Sequence, residues 1–280
     1  MKKLVVALSI CMIGQSAVVA HAGTHKKHKR MRHHHAVRHH QEEWKKETLT
    51  VAAPNTPVAN NESDVFFSRL NGTFDIASNY VFRGISQTRN NPAVQGGLTY
   101  TFPVGVYFNV WGSNVDFVAP DEAQSRATLE IDTIVGLRRS IGDDFTYDIN
   151  VARYNYPRAR YANYNEINSL FKYKIFQVGI SYSANVYNVH TTGTYTNAAL
   201  IFDIPCRYAF NIQDLSFQAG IGHYSLGRPA GNSYNDYNAS LTKKLNNTYA
   251  IMVQWTGTNG RAQVPPNDDN QIIGMVTASF

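Results

Sequence analysis

Charge is scarce in this chain. Asp, Glu, Lys and Arg make up 16% of its 280 residues, against roughly 25% in an average soluble domain. Long apolar runs are missing too. Ala198 to Phe202 is typical of the longest beyond the N-terminus, far short of the ~20 residues a membrane-spanning helix needs. Cysteine is limited to Cys11 and Cys206, and the first lies in a segment expected to be removed. No intrachain disulfide framework can then form, and Cys206 reads most simply as a small structural residue. No stretch carries a convincing amphipathic helical period. The catalytic signatures GxSxG, HExxH and the P-loop are absent.

The formal charge of +6 and pI near 9.2 would suggest a nucleic-acid partner if the basic residues were spread over the fold. They are not. The excess lies in residues 1–47, and residues 48–280 are about neutral. Nucleic acid is therefore excluded as a partner.

Residues 1–22 read as a signal peptide. Lys2 and Lys3 precede the apolar stretch Leu4 to Gly14, and Ala20-His21-Ala22 supplies the small-x-small cleavage pattern. Residues 23–66 follow as a basic, His-rich leader and linker with little apolar surface to bury, expected to be disordered. His33, His34, His35, His39 and His40 are candidate metal ligands, because clustered imidazoles can wrap Zn, Cu or Ni. The cationic run could instead hold a cell-wall polymer or anionic headgroups. A plain solvated tail is the third option.

From Val65 onward the period is two. Leu129, Ile131, Thr133, Val135 and Leu137 alternate with Glu130, Asp132, Ile134, Gly136 and Arg138. Phe145, Tyr147, Ile149 and Val151 alternate with Thr146, Asp148, Asn150 and Ala152. Such alternation gives each strand one apolar and one polar face. Twelve strands are predicted: 71–83, 93–102, 104–114, 126–139, 144–156, 165–175, 177–188, 195–204, 214–224, 234–243, 247–256 and 271–280. Tight turns and longer, Asn-, Gly- and Pro-rich loops alternate between them. An even strand count with segregated loop lengths matches an all-β fold: a closed, antiparallel, up-and-down transmembrane β-barrel over residues 67–280, both termini periplasmic. A soluble sandwich would alternate as well, without a reason to sort its loops. Aromatics at the strand ends, among them Tyr80, Phe82, Tyr156, Tyr187, Tyr234, Phe102, Tyr173, Tyr249 and Trp255, are expected to form the two interface girdles. Loop 257–270 is expected to be an outside contact or lid.

The chain ends at Phe280, with Ala278, Val276, Gly274 and Ile272 on one face. This pattern resembles the signal read by the outer-membrane barrel assembly machinery. The stretches 79–88 (NYVFRGISQT), 91–100 (NPAVQGGLTY) and 105–117 (GVYFNVWGSNVDF) resemble the opening of the TorF porin family. Glu130-Ile131-Asp132, Tyr154-Asn155-Tyr156-Pro157, Tyr164-Asn165-Glu166 and Asp236-Tyr237 follow in that family's order. The resemblance covers roughly residues 70–280 and implies a Gram-negative outer-membrane barrel of porin type, without a named substrate.

Strand parity assigns the charged residues. If Leu129 and Ile131 face lipid, Glu130 and Asp132 face the lumen. By the same count Asp75, Arg138, Asp148, Glu166, Lys172 and Lys174 point inward, and so does Arg83 just past its strand. A charge on the lipid face would cost ~2–4 kcal/mol near the midplane. Inside, these groups either cross-link the wall or line an aqueous path and set its selectivity. The function expected is passive diffusion of small polar solutes or ions, without cofactor. A structural or surface-interaction barrel is the alternative, and an outer-membrane hydrolase using His223 or His190 a weaker one.

Overall fold

The computed structural model describes residues 66–118, 126–204, 214–260 and 270–280. The signal peptide, the His-rich leader, Cys206 and Pro265 with its neighbours in the last loop lie outside the described residues. Their expected roles carry no structural statement.

Every long alternating segment forms a strand. The first are β1 (Leu70–Ala77), the two-residue strands β2 (Val81–Phe82) and β3 (Ile85–Ser86), β4 (Ala93–Thr101) and β5 (Val106–Val118). Next come β6 (Arg126–Ile141), β7 (Phe145–Asn155), β8 (Tyr164–Tyr173) and β9 (Phe176–Ser183). The series ends with β10 (Gly193–Ile204), β11 (Leu215–Leu226), β12 (Tyr234–Lys244), β13 (Tyr249–Thr258) and β14 (Gln271–Ser279). Leaving β2 and β3 aside, the other twelve pair antiparallel with their chain neighbours, and β1 pairs with β14 to close the barrel. Closure pairs the backbone groups of every strand and leaves no open edge, the condition for a sheet to cross hydrocarbon. Among the described residues no helix is long and apolar enough to cross a membrane.

Both faces follow the pleat. Ile149 and Val151 are exposed while Asp148, Asn150, Ala152 and Tyr154 are buried. Midway along the outward face the described strands carry only apolar and small uncharged residues, among them Val94, Leu98, Val135, Val151, Ile167, Val178, Leu200, Ile221, Leu241 and Val253. The outward Arg139 and Lys243 sit beside the tight turns, and Arg153 sits at the opposite rim. The tight turns, at 102–105, 142–144, 174–175 and 245–248, share one end with the start of β1 and the close of β14, where Thr73 pairs with Ser279. We call this the turn end. Apart from the connection between β10, ending at Ile204, and β11, beginning at Leu215, which falls at the turn end, the longer connections lie at the other, the loop end.

Three expectations need correction. The first strand stops at Ala77 rather than residue 83, because 78–92 leaves the wall and folds across the loop-end mouth. The seventh stops at Ser183 rather than 188, in a 3-10 turn where Tyr187 takes a left-handed φ of 52°. And Tyr80, Phe82, Tyr156 and Tyr234 are buried inside the barrel. With Tyr187, also directed inward, they take no part in a girdle. Phe102, Tyr173, Tyr249 and Trp255 remain on the outside.

Candidate functional site

The polar face of a closed barrel must point somewhere, and here it fills the lumen unevenly. Toward the turn end the inward groups are only partly covered. Lys172 is half-buried on β8, facing Asp203 of β10. Asp75 accepts a hydrogen bond from Thr277 Oγ1 at 2.5 Å across the closing strands. Arg138 donates through Nε to Asp148 at 2.6 Å and lies 4.9 Å from the Tyr107 ring. Asp148 also accepts from Tyr107 Oη at 2.9 Å and Asn150 Nδ2 at 3.1 Å. These contacts tie β5, β6 and β7 together on their inner face. Lys174 does not join them. The chain reverses at Lys174 (φ 54°), so strand parity stops applying there, and its ammonium reaches the exposed Asp144 at 3.7 Å in the turn.

Toward the loop end the lumen is packed. Segment 78–92 forms a small hairpin, β2–β3, that pairs only with itself. Asn79 braces it, accepting from Ser86 Oγ at 2.7 Å and Thr88 Oγ1 at 2.8 Å and donating to Gln271 of β14. The backbone N–H of Asp116 donates to Gln87 O at 2.7 Å, fixing the other side to β5. The two-residue turn is Arg83-Gly84, with φ of 51° and 82°. A tight hairpin turn of this hand favours Asn-Gly. An Arg in the left-handed region costs about 1–2 kcal/mol, so its side chain must repay that elsewhere. Gly84 is required as well: an added Cβ would lie 2.8 Å from Asp236 Cβ and Thr258 Cγ2 on the far wall.

Arg83 is 5% exposed. Its two terminal nitrogens donate to Glu166 at 2.7 and 2.9 Å, a parallel fork on a carboxylate that is 1% exposed. Tyr154 Oη donates to the same Glu166 at 3.1 Å. The guanidinium carbon lies 4.3 Å from the Tyr195 ring centre and 4.6 Å from those of Tyr224 and Phe82. Tyr195 in turn donates to Asp236 at 3.1 Å. Stacked and edge-on rings continue the cage through Tyr154, Tyr164, Tyr187, Tyr224 and Tyr234.

Glu130 and Asp132 stand beside this assembly on β6, 2% and 0% exposed. Tyr156 Oη donates to Glu130 at 3.0 Å. Among the described residues, Glu130 Oε2, both Asp132 oxygens and Asp236 Oδ2 have no hydrogen-bond partner. The packed half of the lumen therefore holds four buried acids, Glu130, Asp132, Glu166 and Asp236, of which Glu166 takes the ion pair with Arg83. Residues 60–278 match the family model described as "Bacterial protein of unknown function (Gcw_chp)". This chain belongs to the Gcw_chp family.

A comparison of the Gcw_chp chain with curated proteins finds no match. Among solved structures it is similar to the KdgM porin, at 7% identity and a TM-score of 0.48, covering 75% of this chain and 98% of that one. The NanC porin aligns at 9% identity and 0.47, with the same coverages. OprD from Pseudomonas aeruginosa aligns at 10% and 0.37, over 76% of this chain and 67% of its own. Identities and scores this low leave function to be argued from the barrel's own residues.

Strand parity reaches Glu130, Asp132 and Glu166 but passes over Asp236 and the cage. Tyr154 shares the inward parity of Asp148 and Asn150, and Tyr234 that of Asp236, so the signal is present in the sequence. Reading Tyr156 and Tyr234 as girdle residues sets their part of it aside. Tyr195 and Tyr224 are brought to Arg83 only by the inward fold of 78–92. Among the described residues no three His, Cys, Asp or Glu side chains gather as a metal site. His223 points outward from β11, with Nδ1 2.7 Å from Asn235 Oδ1 on β12, and His190 lies in the connection after β9, where its backbone N–H donates to Asn185 Oδ1 at 2.7 Å. Phe280 extends the closing pair: its N–H donates to Gly72 O at 3.1 Å and its carbonyl accepts from Gly72 at 2.7 Å.

Proposed function

We propose that this chain is an outer-membrane channel for passive diffusion of small polar solutes or ions. The carrying observation is the closed twelve-strand wall, whose outer belt is free of charge at mid-height while its inner face is polar and charged. A sandwich buries apolar inner faces and exposes polar outer ones; this wall does the reverse. In a membrane the arrangement removes charge from hydrocarbon and leaves a lumen for water. The inward, half-buried Asp75, Arg138 and Lys172 line the turn-end half with both signs of charge. The TorF resemblance of the opening motif and the signal peptide support export to the outer membrane of a Gram-negative cell, with both termini periplasmic. Phe280 is proposed as the assembly signal.

The test is purified protein in planar bilayers. Discrete conductance steps are expected. A second reading, a structural barrel without a conducting pore, is favoured by the packing of the loop-end mouth. Folded protein that gives no steps, in wild type and in Arg83→Ala alike, selects it. The leader supports a separate proposal: His33, His34, His35, His39 and His40 hold Zn or Ni in the periplasm. Titrating either ion into residues 23–47 and finding no binding at micromolar ion removes it, leaving the cell-wall polymer or a plain solvated tail.

A further inference from the structure

The occupant of the lumen cage discloses the chemistry of the cage. Arg83 comes from the small hairpin, whereas the groups that receive it, apart from Phe82, belong to the barrel wall: Glu166 and Tyr154 from β8 and β7, Tyr195 and Tyr224 from β10 and β11. A carboxylate that accepts two parallel N–H bonds from a flat cation sandwiched by aromatic faces is a guanidinium receptor. Asp236, bonded through one oxygen to Tyr195 and, among the described residues, unpartnered at the other, leaves one acceptor to spare beside the cage. The hairpin has no strand pairing with the wall; its ties besides Arg83 lie at its base, from Asn79 to Gln271, from Asp116 N–H to Gln87 O, and from Arg89 to Asp116 at 3.7 Å. Its tip also carries Arg where the turn geometry favours Asn, so the side chain rather than the turn accounts for the residue.

We infer that the wall of the lumen contains a binding site for guanidinium-bearing solutes, filled at rest by Arg83 as a tethered occupant, so that a free guanidinium compound competes with Arg83 and unlatches the hairpin. The competition rests on the cage alone; only the consequence for flow rests on the channel reading. A tethered group has a high effective concentration, which makes wild type the weak binder and a variant without Arg83 the strong one. A primary ammonium lacks the planar fork and should compete poorly.

Calorimetry on the full folded chain in detergent, with agmatine at low millimolar concentration as probe, tests this directly. Arg83→Ala should bind agmatine at least tenfold more tightly than wild type, and putrescine, an ammonium probe of similar length, should bind neither well. Adding Glu166→Gln to Arg83→Ala should abolish the gain. Heat-modifiable migration on gels reports folding of each variant. Should Arg83→Ala fail to fold, Arg83→Lys serves: it keeps the cation but loses the fork, and agmatine should again bind at least tenfold more tightly than to wild type. Equal agmatine affinity in wild type and the folded variant, or equal response to both probes, overturns the inference. Conductance is read separately, with agmatine expected to raise the wild-type current. Binding without any current would sink the channel reading and leave the receptor standing.

Discussion

Replacing Val151 by Arg asks whether the outer belt faces hydrocarbon or water. Val151 lies in the middle of β7, 51% exposed, paired with Val135 on one side and Ile167 on the other, which are 55% and 53% exposed. In water an exposed Val→Arg change away from special features stays within about ±0.5 kcal/mol. At the midplane of a bilayer an Arg on the outside of a barrel costs about 2–4 kcal/mol, which is roughly 30- to 900-fold in the folding equilibrium at 1.36 kcal/mol per decade. Ile141→Arg is the internal control. Ile141 is 63% exposed but ends β6 beside a tight turn, at a depth where the cost falls to about 0–1 kcal/mol. Refolding into lipid vesicles under a denaturant gradient, followed by Trp fluorescence, measures both. A Val151→Arg loss no larger than that of Ile141→Arg would refute a lipid-facing belt.

Other consequences concern the lumen. Asp148→Ala removes the acceptor shared by Arg138, Tyr107 and Asn150; destabilisation of about 2–3 kcal/mol is expected, below the ~3–5 of a fully buried pair because Arg138 reaches water, and denaturant titration reads it. Gly136→Val puts a Cβ 2.6 Å from Tyr107 Cζ and 2.7 Å from Asn150 Cβ. Overpacking of this kind costs ~1–3 kcal/mol, and a folding midpoint equal to wild type would show the lumen less tightly packed than described.

The barrel was legible because a two-sided wall writes its geometry into every second residue. Strands of eight to sixteen residues, their number and the sides on which turns and loops fall all follow from alternation and turn chemistry. Glu130, Asp132, Asp148 and Glu166 are buried on the face that parity gives them. What parity cannot deliver is anything that leaves the wall. Segment 78–92 has the apolar Tyr80, Val81, Phe82 and Ile85 of a strand, and reads as a continuation of β1 until Arg83 and Gly84 turn it back. The partners of Arg83 lie 83 to 141 residues later in the chain, at Glu166, Tyr195 and Tyr224, brought near by closure of the ring. Lys174 shows the complementary failure: a residue counted inward by alternation falls on the reversal itself, where the alternation has no meaning.

The most direct measurement is the current through purified full-length protein in a planar bilayer under a salt gradient. Discrete steps are expected, with larger steps in Arg83→Ala. Folded, heat-modifiable protein that yields a silent bilayer in wild type and in Arg83→Ala would contradict a conducting barrel.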